Sequence, residues 1–410
     1  YELLMNHVTQ VMVRAIDGAE PPSAVLPASA LQPVGFGRDE GLLPYSPRSF
    51  PGYRLLTEYF TFPQKFLFVD LVGLECTRMK GFRDRAEIFL FLDRSIPALE
   101  TRVKNDTFRL GCTPIVNLFT QDCDPIHVTH TKHRYHVIPD VRSPGAMEIY
   151  SIDAVSSTNL DSHQTTEYQP FYSFKHGLES GQRQAYWYAR RRPSVQKGDS
   201  GTEMYISLVD LDFDAAQRPS DVLTIQATCT NRDLPGELRS TGGEIWGFQL
   251  EGHAPLQRIT PIVPPTESAR LPFDEGRWRL VSHLALNHLS IADAEDGAAA
   301  LREILKLYDF ANTKVSAQHI AGIVSVTSRR AVAPITDGTG DGFCRGLEIS
   351  IELDDEKFAG SGSFLFASVL ERFLGLYASI NSATRLSARS KQRGALIKRW
   401  PFRAGDRTLI

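Results

Sequence analysis

The sequence has few cysteines for its length, and they are widely spaced. The five among 410 residues include no Cys-x-x-Cys pair, which argues against a zinc ribbon or a thioredoxin-like site. A chain of this size does not need disulfides to fold, so we expect reduced thiols and a cytosolic compartment. The five are Cys76, Cys112, Cys123, Cys229 and Cys344.

Long apolar runs and a strong charge of either sign are also missing. No apolar run reaches the roughly 18–20 residues that a membrane span requires, because Asp70 interrupts the longest candidate, Phe66 to Leu74. We therefore expect no direct insertion into a membrane. The formal net charge of −3 gives no global indication of nucleic-acid binding. The length of the chain favours two or three domains.

The N-terminal part, residues 1–52, predicts a helix followed by an extended segment. Leu4, Val8 and Val11 have helical spacing, and the Asp-Gly pair that follows would end the helix. Residues 21–51 are rich in proline and glycine and show little periodicity, which is typical of an extended connection. Because the chain opens within this helix and without a methionine, we expect further residues before it in the full protein.

Three further segments follow this N-terminal part. Residues 53–155 alternate between helical and strand patterns and predict a small α+β or β domain. Residues 156–283 contain many short strand patterns separated by turn residues, which indicates a β-rich domain. Residues 284–410 combine helices and strands in a C-terminal α+β domain. The sequence therefore predicts a multidomain α+β protein with a β-rich central region.

The segment from Gly198 to Gly201 matches the sequence around a serine-protease nucleophile. That chemistry needs a positioned histidine base and a buried aspartate, which four residues do not show. Glycine, aspartate and serine are also ordinary turn residues. A hydrolytic β protein using Ser200 is the first alternative function, and a charged turn is the other interpretation.

Histidines recur at every third position between His127 and His136. Imidazoles at this density are compatible with a zinc site. The β-branched residues between them favour strands, which place successive histidines of this spacing on opposite faces. A hairpin would still bring two of them together, so a metal-binding β protein is the second alternative. The four residues are His127, His130, His133 and His136.

A glycine-rich stretch from Asp337 to Gly342, followed by Glu348, nearly fits a calcium-binding loop. Thr339 stands at position three, where the loop expects Asp or Asn, and the flanking residues predict strands where an EF-hand has helices. A glycine-rich loop is the preferred interpretation. No Gly-Lys-Ser/Thr follows, so the stretch is not a P-loop. We expect neither a metal nor another cofactor.

The stretch from Arg385 to Arg407 is basic. Such a patch is suited to phosphate, anionic lipid or an acidic protein surface. Because no RNA- or DNA-binding motif accompanies it, we favour a solvated face or a protein contact over nucleic acid.

The helix predicted from Phe364 to Ile380 is apolar around more than one face. One stripe of apolar residues along the helix would cover a core, and further leucines lie outside this stripe. Two interpretations stay open: an internal helix packed on two sides, or a helix whose second face meets a partner. The candidate interaction residues are Leu365, Phe366, Val369, Phe373, Leu376 and Tyr377, together with Phe36 and Tyr45 from the proline-rich segment.

Several blocks of sequence carry a family resemblance, and they occur in one order along nearly the whole chain. They are YRLLTEYF at 53–60, FPQKF at 62–66, CTPIVNLF at 112–119, EIYSID at 148–153, FCRG at 343–346, GSFLF at 362–366 and VLERF at 369–373. In these blocks the chain resembles the TssF (VasA/ImpG-like) family of type VI secretion systems. Residues 156–340 contribute less to the resemblance.

The resemblance implies a structural, non-catalytic subunit of a cytoplasmic baseplate, related to the wedge proteins of contractile phage tails. In this family two copies of TssF join one TssG in a wedge, and TssK attaches the wedge to the inner-membrane complex of a Gram-negative bacterium. Wedges gather around the VgrG spike, and TssE links them to the sheath. The expected partners are therefore TssG, a second TssF copy, TssK, VgrG, and TssE with the sheath.

Overall fold

The computed structural model describes most of the chain and locates its helices and strands. The described residues are 1–16, 22–45, 49–77, 82, 85–129, 131–173, 185–210, 221–237, 248–249, 258–259, 261–266, 268–270, 278, 296–337, 340–376, 378 and 382–405. The helices are α1 Glu2–Asn6, α2 Pro51–Thr61, α3 Pro97–Glu100, α4 Leu234–Glu237, α5 Gly297–Lys306, α6 Lys314–Ala321 and α7 Ser363–Gly375. Among the described residues, no helix combines the length and the apolar character that crossing a bilayer requires.

The strands are numbered in chain order. They are β1 Val8–Ala15, β2 Ser23–Pro27, β3 Leu31–Pro33, β4 Val69–Leu71, β5 Ala86–Leu92, β6 Phe119–Asp122, β7 Ile126–His127, β8 Tyr135–Val137, β9 Glu148–Asn159, β10 Thr165–Pro170, β11 Ala185–Pro193, β12 Thr202–Asp210, β13 Asp221–Thr230, β14 Phe248–Gln249, β15 Arg258–Ile259, β16 Ile323–Asp337, β17 Gly340–Leu353, β18 Ser382–Ser390, β19 Leu396–Arg399 and β20 Arg403–Ala404. The chain divides into two compact units. The first comprises residues 1–115 and 269–410, and the second comprises residues 116–268.

The second unit is built on one eight-stranded sheet in the order β6-β13-β9-β10-β11-β12-β8, with β7 also beside β13. β10 joins the two halves, since it pairs antiparallel with β9 and parallel with β11. Alternate residues of β13, such as Leu223 and Ile225, point into the core, as the period of a strand requires. Trp187 and Ile206 from the other half belong to the same core. The predicted β-rich central region is confirmed.

The main core of the first unit joins residues that are far apart in sequence. A mixed sheet in the order β16-β17-β18-β19, with β20 also beside β18, supplies one layer. β17 and β18 are parallel, and α7 lies between them in the chain. Leu56 and Tyr59 of α2 pack in the same core as Leu301 of α5 and Phe366 of α7. The predicted α+β character of the C-terminal part is confirmed, and α2 shares its core.

The predicted N-terminal helix is wrong beyond Asn6. β1 pairs antiparallel with β2 and with β5 in a three-stranded sheet. Val11 and Val13 are buried in a small core together with Leu26 and Ala30. Apolar residues in this stretch satisfy both the helical period and the period of two, and β-branched valines favour the strand. Pairing with residues 23–27 and 86–92, which local spacing does not reveal, decides between the two periods.

Two smaller predictions also differ from the structure. From the sequence, Ser95 would cap a short helix from Ile96 to Asn105. The structure has only the single turn of α3, and the Ser95 hydroxyl donates to Glu100 Oε1 at 3.2 Å. α6 was not predicted, although Thr313 and Ser316 form a capping box at its start. The division at residues 52, 155 and 283 stays a prediction. The sequence also predicts a strand over 277–282, and of these residues the structure describes only Trp278.

Candidate interaction surfaces

Helix α7, which carries most of the candidate interaction residues, is enclosed by the chain's own core. Leu365, Phe366, Val369 and Phe373 are each 0% exposed. From α2, the Tyr59 ring lies 5.6 Å from that of Phe366. The proposal that these four residues meet a partner is therefore corrected: α7 is an internal helix packed on several sides. A helix that is apolar all round is buried all round.

The end of α7 is fixed by charged side chains. Glu371, 4% exposed, accepts hydrogen bonds from Arg403 Nε at 2.7 Å and from its terminal nitrogen at 3.0 Å. Arg403 crosses the helix at Gly375, where a Cβ would lie 2.3 Å from the arginine Cδ. Leu376 is half-buried and remains a candidate, whereas Tyr377 lies outside the described residues.

The proline-rich segment docks on α2 of the same chain. Glu58 Oε1 accepts from the backbone N–H groups of Leu42 at 2.8 Å and Leu43 at 3.2 Å. Its other oxygen pairs with Lys65, and both side chains are only 3% exposed. Burial lowers the pKa of the Lys65 ammonium, and Glu58 opposes that decrease. A charged pair inside the chain therefore anchors this segment.

The two candidates in the proline-rich segment are half-buried against their own chain. The Phe36 ring lies 5.0 Å from Phe66 and 5.2 Å from the Arg372 guanidinium. Arg54 lies 5.5 Å from the Tyr45 ring. Contact of either ring with a partner stays a prediction, limited to the exposed part of each side chain.

Ser200 lies in a charged turn. Its hydroxyl donates to Asp233 Oδ2 at 2.9 Å. The neighbouring Asp199 accepts from the Gly201 N–H at 2.8 Å and from Arg232 Nε at 2.9 Å. Burial alone would raise the pKa of Asp199, but hydrogen bonds, first that of Arg232, lower it to about 2. These contacts correct the nucleophile alternative: Ser200 donates to a carboxylate, and the segment is a salt-bridged turn.

Two of the four histidines lie in short strands, His127 in β7 and His136 in β8, and both are exposed. In β8, His136 is exposed between Tyr135 and Val137, which are buried. The His136 ring stacks on Tyr205 with ring centroids 4.9 Å apart. Within the described residues, which omit His130, no group of three or more His, Cys, Asp or Glu side chains could hold a metal ion. The metal-binding alternative has no support in this geometry.

Glu348 stands at the twelfth position of the calcium-like loop, and its carboxylate is paired with arginines. Its carboxylate accepts from Arg329 Nε at 2.7 Å and from Arg399 at 2.6 Å, and Arg385 lies 3.1 Å away. Burial would raise the pKa of this carboxyl, but the three guanidinium groups lower it to about 2. Glu348 therefore joins strands of the sheet, and it neutralises part of the basic C-terminal stretch.

A run of exposed apolar side chains in the first unit was not predicted. We name it the outer segment, residues 86–115, which begins with the edge strand β5. After α3 its residues carry little regular structure. Large apolar side chains are exposed along it: Ile88 is 55%, Phe108 62%, Leu110 99% and Ile115 64% exposed. Exposed apolar patches of this kind mark protein–protein contacts.

A family model described as "Type VI secretion system, TssF" matches residues 1–407. The chain belongs to the TssF family. Type VI secretion system component TssF1 of Pseudomonas aeruginosa is 36% identical over 418 aligned residues, which cover 99% of this chain and 67% of the relative. Membership of the TssF family confirms the prediction that the chain is a structural component and not an enzyme.

Two solved structures contain chains with the same fold. A chain of the type VI secretion system TssK-TssF-TssG baseplate subcomplex, solved by cryo-electron microscopy, has a TM-score of 0.74 and 26% identity, covering 97% of this chain and 70% of that one. A chain of the baseplate complex from the type VI secretion system has a TM-score of 0.55 and 25% identity, covering 88% of this chain and 60% of that one. The predicted relation to baseplate proteins is confirmed.

The outer segment of this TssF-family chain carries a signal that the sequence analysis left unused. The block CTPIVNLF contributed to the resemblance, and its Ile115 is exposed. Apolar composition alone did not distinguish this stretch from a core strand. Residues 101–115 lie outside the strands, between β5 and β6, and this became visible only in three dimensions.

Proposed function

We propose that the chain is a structural subunit of the type VI baseplate wedge and that it assembles with TssG and TssK. The observation that carries this proposal is the match to a chain of the TssK-TssF-TssG subcomplex over 97% of the length at a TM-score of 0.74. The outer segment supports it, because Phe108 and Leu110 expose apolar area that association would remove from water.

The finer arrangement of the wedge is part of the same proposal. Two copies of this chain join one TssG, and wedges surround VgrG while TssE links them to the sheath. TssK docks the wedge at the inner-membrane complex, which keeps the chain in the cytoplasm. Two copies bound to one TssG cannot make identical contacts with it, so each copy must use partly different surfaces. The exposed outer segment and the half-buried Leu376 offer separate surfaces for this purpose.

The test is co-expression of the full-length protein with the TssG-like and TssK-like proteins encoded beside it. Native mass spectrometry of the purified assembly should give two copies of this chain per TssG. A complex of different stoichiometry would overturn the wedge arrangement but leave the baseplate role. Failure to form any complex across a series of salt concentrations would overturn the proposed function.

A variant of the outer segment tests, in the same experiment, whether this segment is a contact surface. Replacing Phe108 and Leu110 with serine should weaken assembly, since both side chains would otherwise be buried on binding. Val195→Ser is the matched control, because Val195 is 85% exposed in the second unit. Equal assembly of all variants would show that the outer segment is not a contact surface.

A further inference from the structure

The hairpin of β16 and β17 extends beyond the sheet to which it belongs. β16 and β17 pair from Ile323 and Leu353 outward to Asp337 and Gly340. The pairing of β17 with β18 begins only at Arg345. The residues beyond this point, 340–344 of β17 and 333–337 of β16, therefore form a two-stranded ribbon, about 17 Å long at ~3.3 Å per residue.

One face of this ribbon continues the core face of the sheet. Residues directly opposite each other in an antiparallel pair share a face, and so do residues two positions along. From Ile349, which is buried beneath the helices, this face runs outward through Leu347 to Arg345 and Phe343. We name it the ribbon face and define it by Pro334 and Phe343 of the ribbon together with Arg330, Val332 and Arg345, which lie on the same face at the adjoining end of the sheet.

The apolar side chains of the ribbon face lie in solvent. Val332 is 67% and Phe343 81% exposed, and Pro334 beside them is also exposed. Farther in, α7 and the other helices cover the same side of the sheet. An apolar sheet face of this kind is stable only when another layer covers it.

The opposite face of the ribbon and of the adjoining part of the sheet is covered or paired within the chain. Ala333 is 0% exposed, and Arg329 is paired with Glu348. Gly346 lies against the Phe402 ring, where a Cβ would be 3.1 Å from a ring carbon. The contrast between the two faces singles out the ribbon face as the surface without a covering layer among the described residues.

Charge indicates which kind of partner fits. Among the side chains described on the ribbon face, the charged ones are Arg330 and Arg345, and both are exposed. They border the apolar pair of Val332 and Phe343. Two copies of this face packed together would bring their arginines into contact, which like-charge repulsion disfavours. A partner with carboxylates beside apolar side chains is complementary.

We propose that the ribbon face binds an amphipathic helix of a different baseplate chain, with apolar residues toward Val332 and Phe343 and with Asp or Glu beside Arg330 and Arg345. A helix is the occupant because helices already cover the inner part of the same sheet face. This inference rests on the proposed function, which supplies the partner chains.

The first test is photo-cross-linking in the assembled complex. The full-length protein with p-benzoylphenylalanine at position 343 is co-purified with the TssG-like and TssK-like subunits and irradiated. The expected cross-link joins position 343 to a peptide of another subunit that contains both apolar and acidic residues. The same residue at position 195, in the second unit, is the control. Cross-links confined to this chain or to its second copy, or no cross-link at 343, would overturn the inference.

The second test reverses the charges. Arg330→Glu with Arg345→Glu should weaken assembly with the same subunits by about tenfold or more, because both new carboxylates would face acidic side chains. The unfolding midpoint should not change, since both positions are exposed. Arg389→Glu, at an exposed position of β18, is the matched control and should assemble normally.

The two proposals fail in different ways. If the unaltered protein forms no complex, the proposed function fails and the ribbon proposal with it. If the complex forms and the charge-reversed variant assembles equally well, the ribbon proposal fails alone.

Discussion

The buried pair of Glu58 and Lys65 gives the sharpest test of how the first unit is stabilised. Both side chains are 3% exposed, and Glu58 also accepts the N–H groups of Leu42 and Leu43. Replacing Glu58 with glutamine keeps a carbonyl oxygen for those donors but removes the charge that compensates Lys65. Breaking a buried pair in this way costs about 3–5 kcal/mol of the free energy of unfolding.

The pH dependence of this cost follows from the lysine. In the Glu58→Gln variant the folded state can lose the Lys65 proton, which costs about 1.4 kcal/mol for each pH unit below the ordinary lysine pKa near 10.5. That sets an upper limit of about 5 kcal/mol at pH 7 and about 2 kcal/mol at pH 9. The unfolded state then binds more protons than the folded state, so the stability of the variant rises with pH over this window.

The matched variants separate charge from packing. Lys65→Met removes the cation but leaves Glu58 with two backbone donors, so its cost should be smaller than that of Glu58→Gln. The double variant should recover part of the loss, because neither charge remains buried. Urea unfolding at pH 7 and pH 9 gives the free energies, and hydrogen exchange of residues 33–45 and α2 locates the effect. A loss from Glu58→Gln that is equal at both pH values, or equal to that of Lys65→Met, would refute the reasoning.

Three other predictions test the assignments of burial. Phe373→Ala should lower the free energy of unfolding of the first unit by about 3–5 kcal/mol, whereas the exposed Phe343→Ala should change it by less than about 0.5 kcal/mol, as measured by urea denaturation. Burial lowers the pKa of His319, so the folded state should lose stability as the pH falls below about 6.5, and His319→Gln should flatten that decline in thermal melts. Ser200→Ala should leave baseplate assembly unchanged and alter the free energy of unfolding by only about 1 kcal/mol, which co-purification and denaturation would show.

Sequence reasoning succeeded where one local pattern had one structural solution. The strand patterns of the β-rich region, such as the alternating apolar residues of β13, belong to this class. The all-round apolar pattern of α7 allowed two packings, inside the chain or against a partner. The choice between them depended on α2, more than 300 residues earlier in the chain. The helix predicted for the N-terminal stretch was wrong for a related reason. Its valines fit both the helical period and the strand period, and only the pairing with β5 decides between them.

The candidate surfaces were harder to predict than the fold. Phe343 stood in a recognised block, yet its exposure depends on where β18 begins to pair with β17. Leu365 and Phe366 looked more promising because they are strongly apolar, and that same property buries them. Apolar character indicates that a side chain will be covered, but it does not say whether the chain itself or another molecule provides the cover.

The division of the first unit between residues 1–115 and 269–410 has a consequence for biosynthesis. At ~5–20 residues per second, a ribosome needs roughly 12–50 s to add the residues that separate Phe66 from Leu305. During that time the second unit can fold, while α2 waits with Leu56 and Tyr59 uncovered. We therefore expect the nascent chain to need chaperones for longer than a chain of consecutive domains does. Truncated products of translation would keep these side chains exposed and be recognised by proteases.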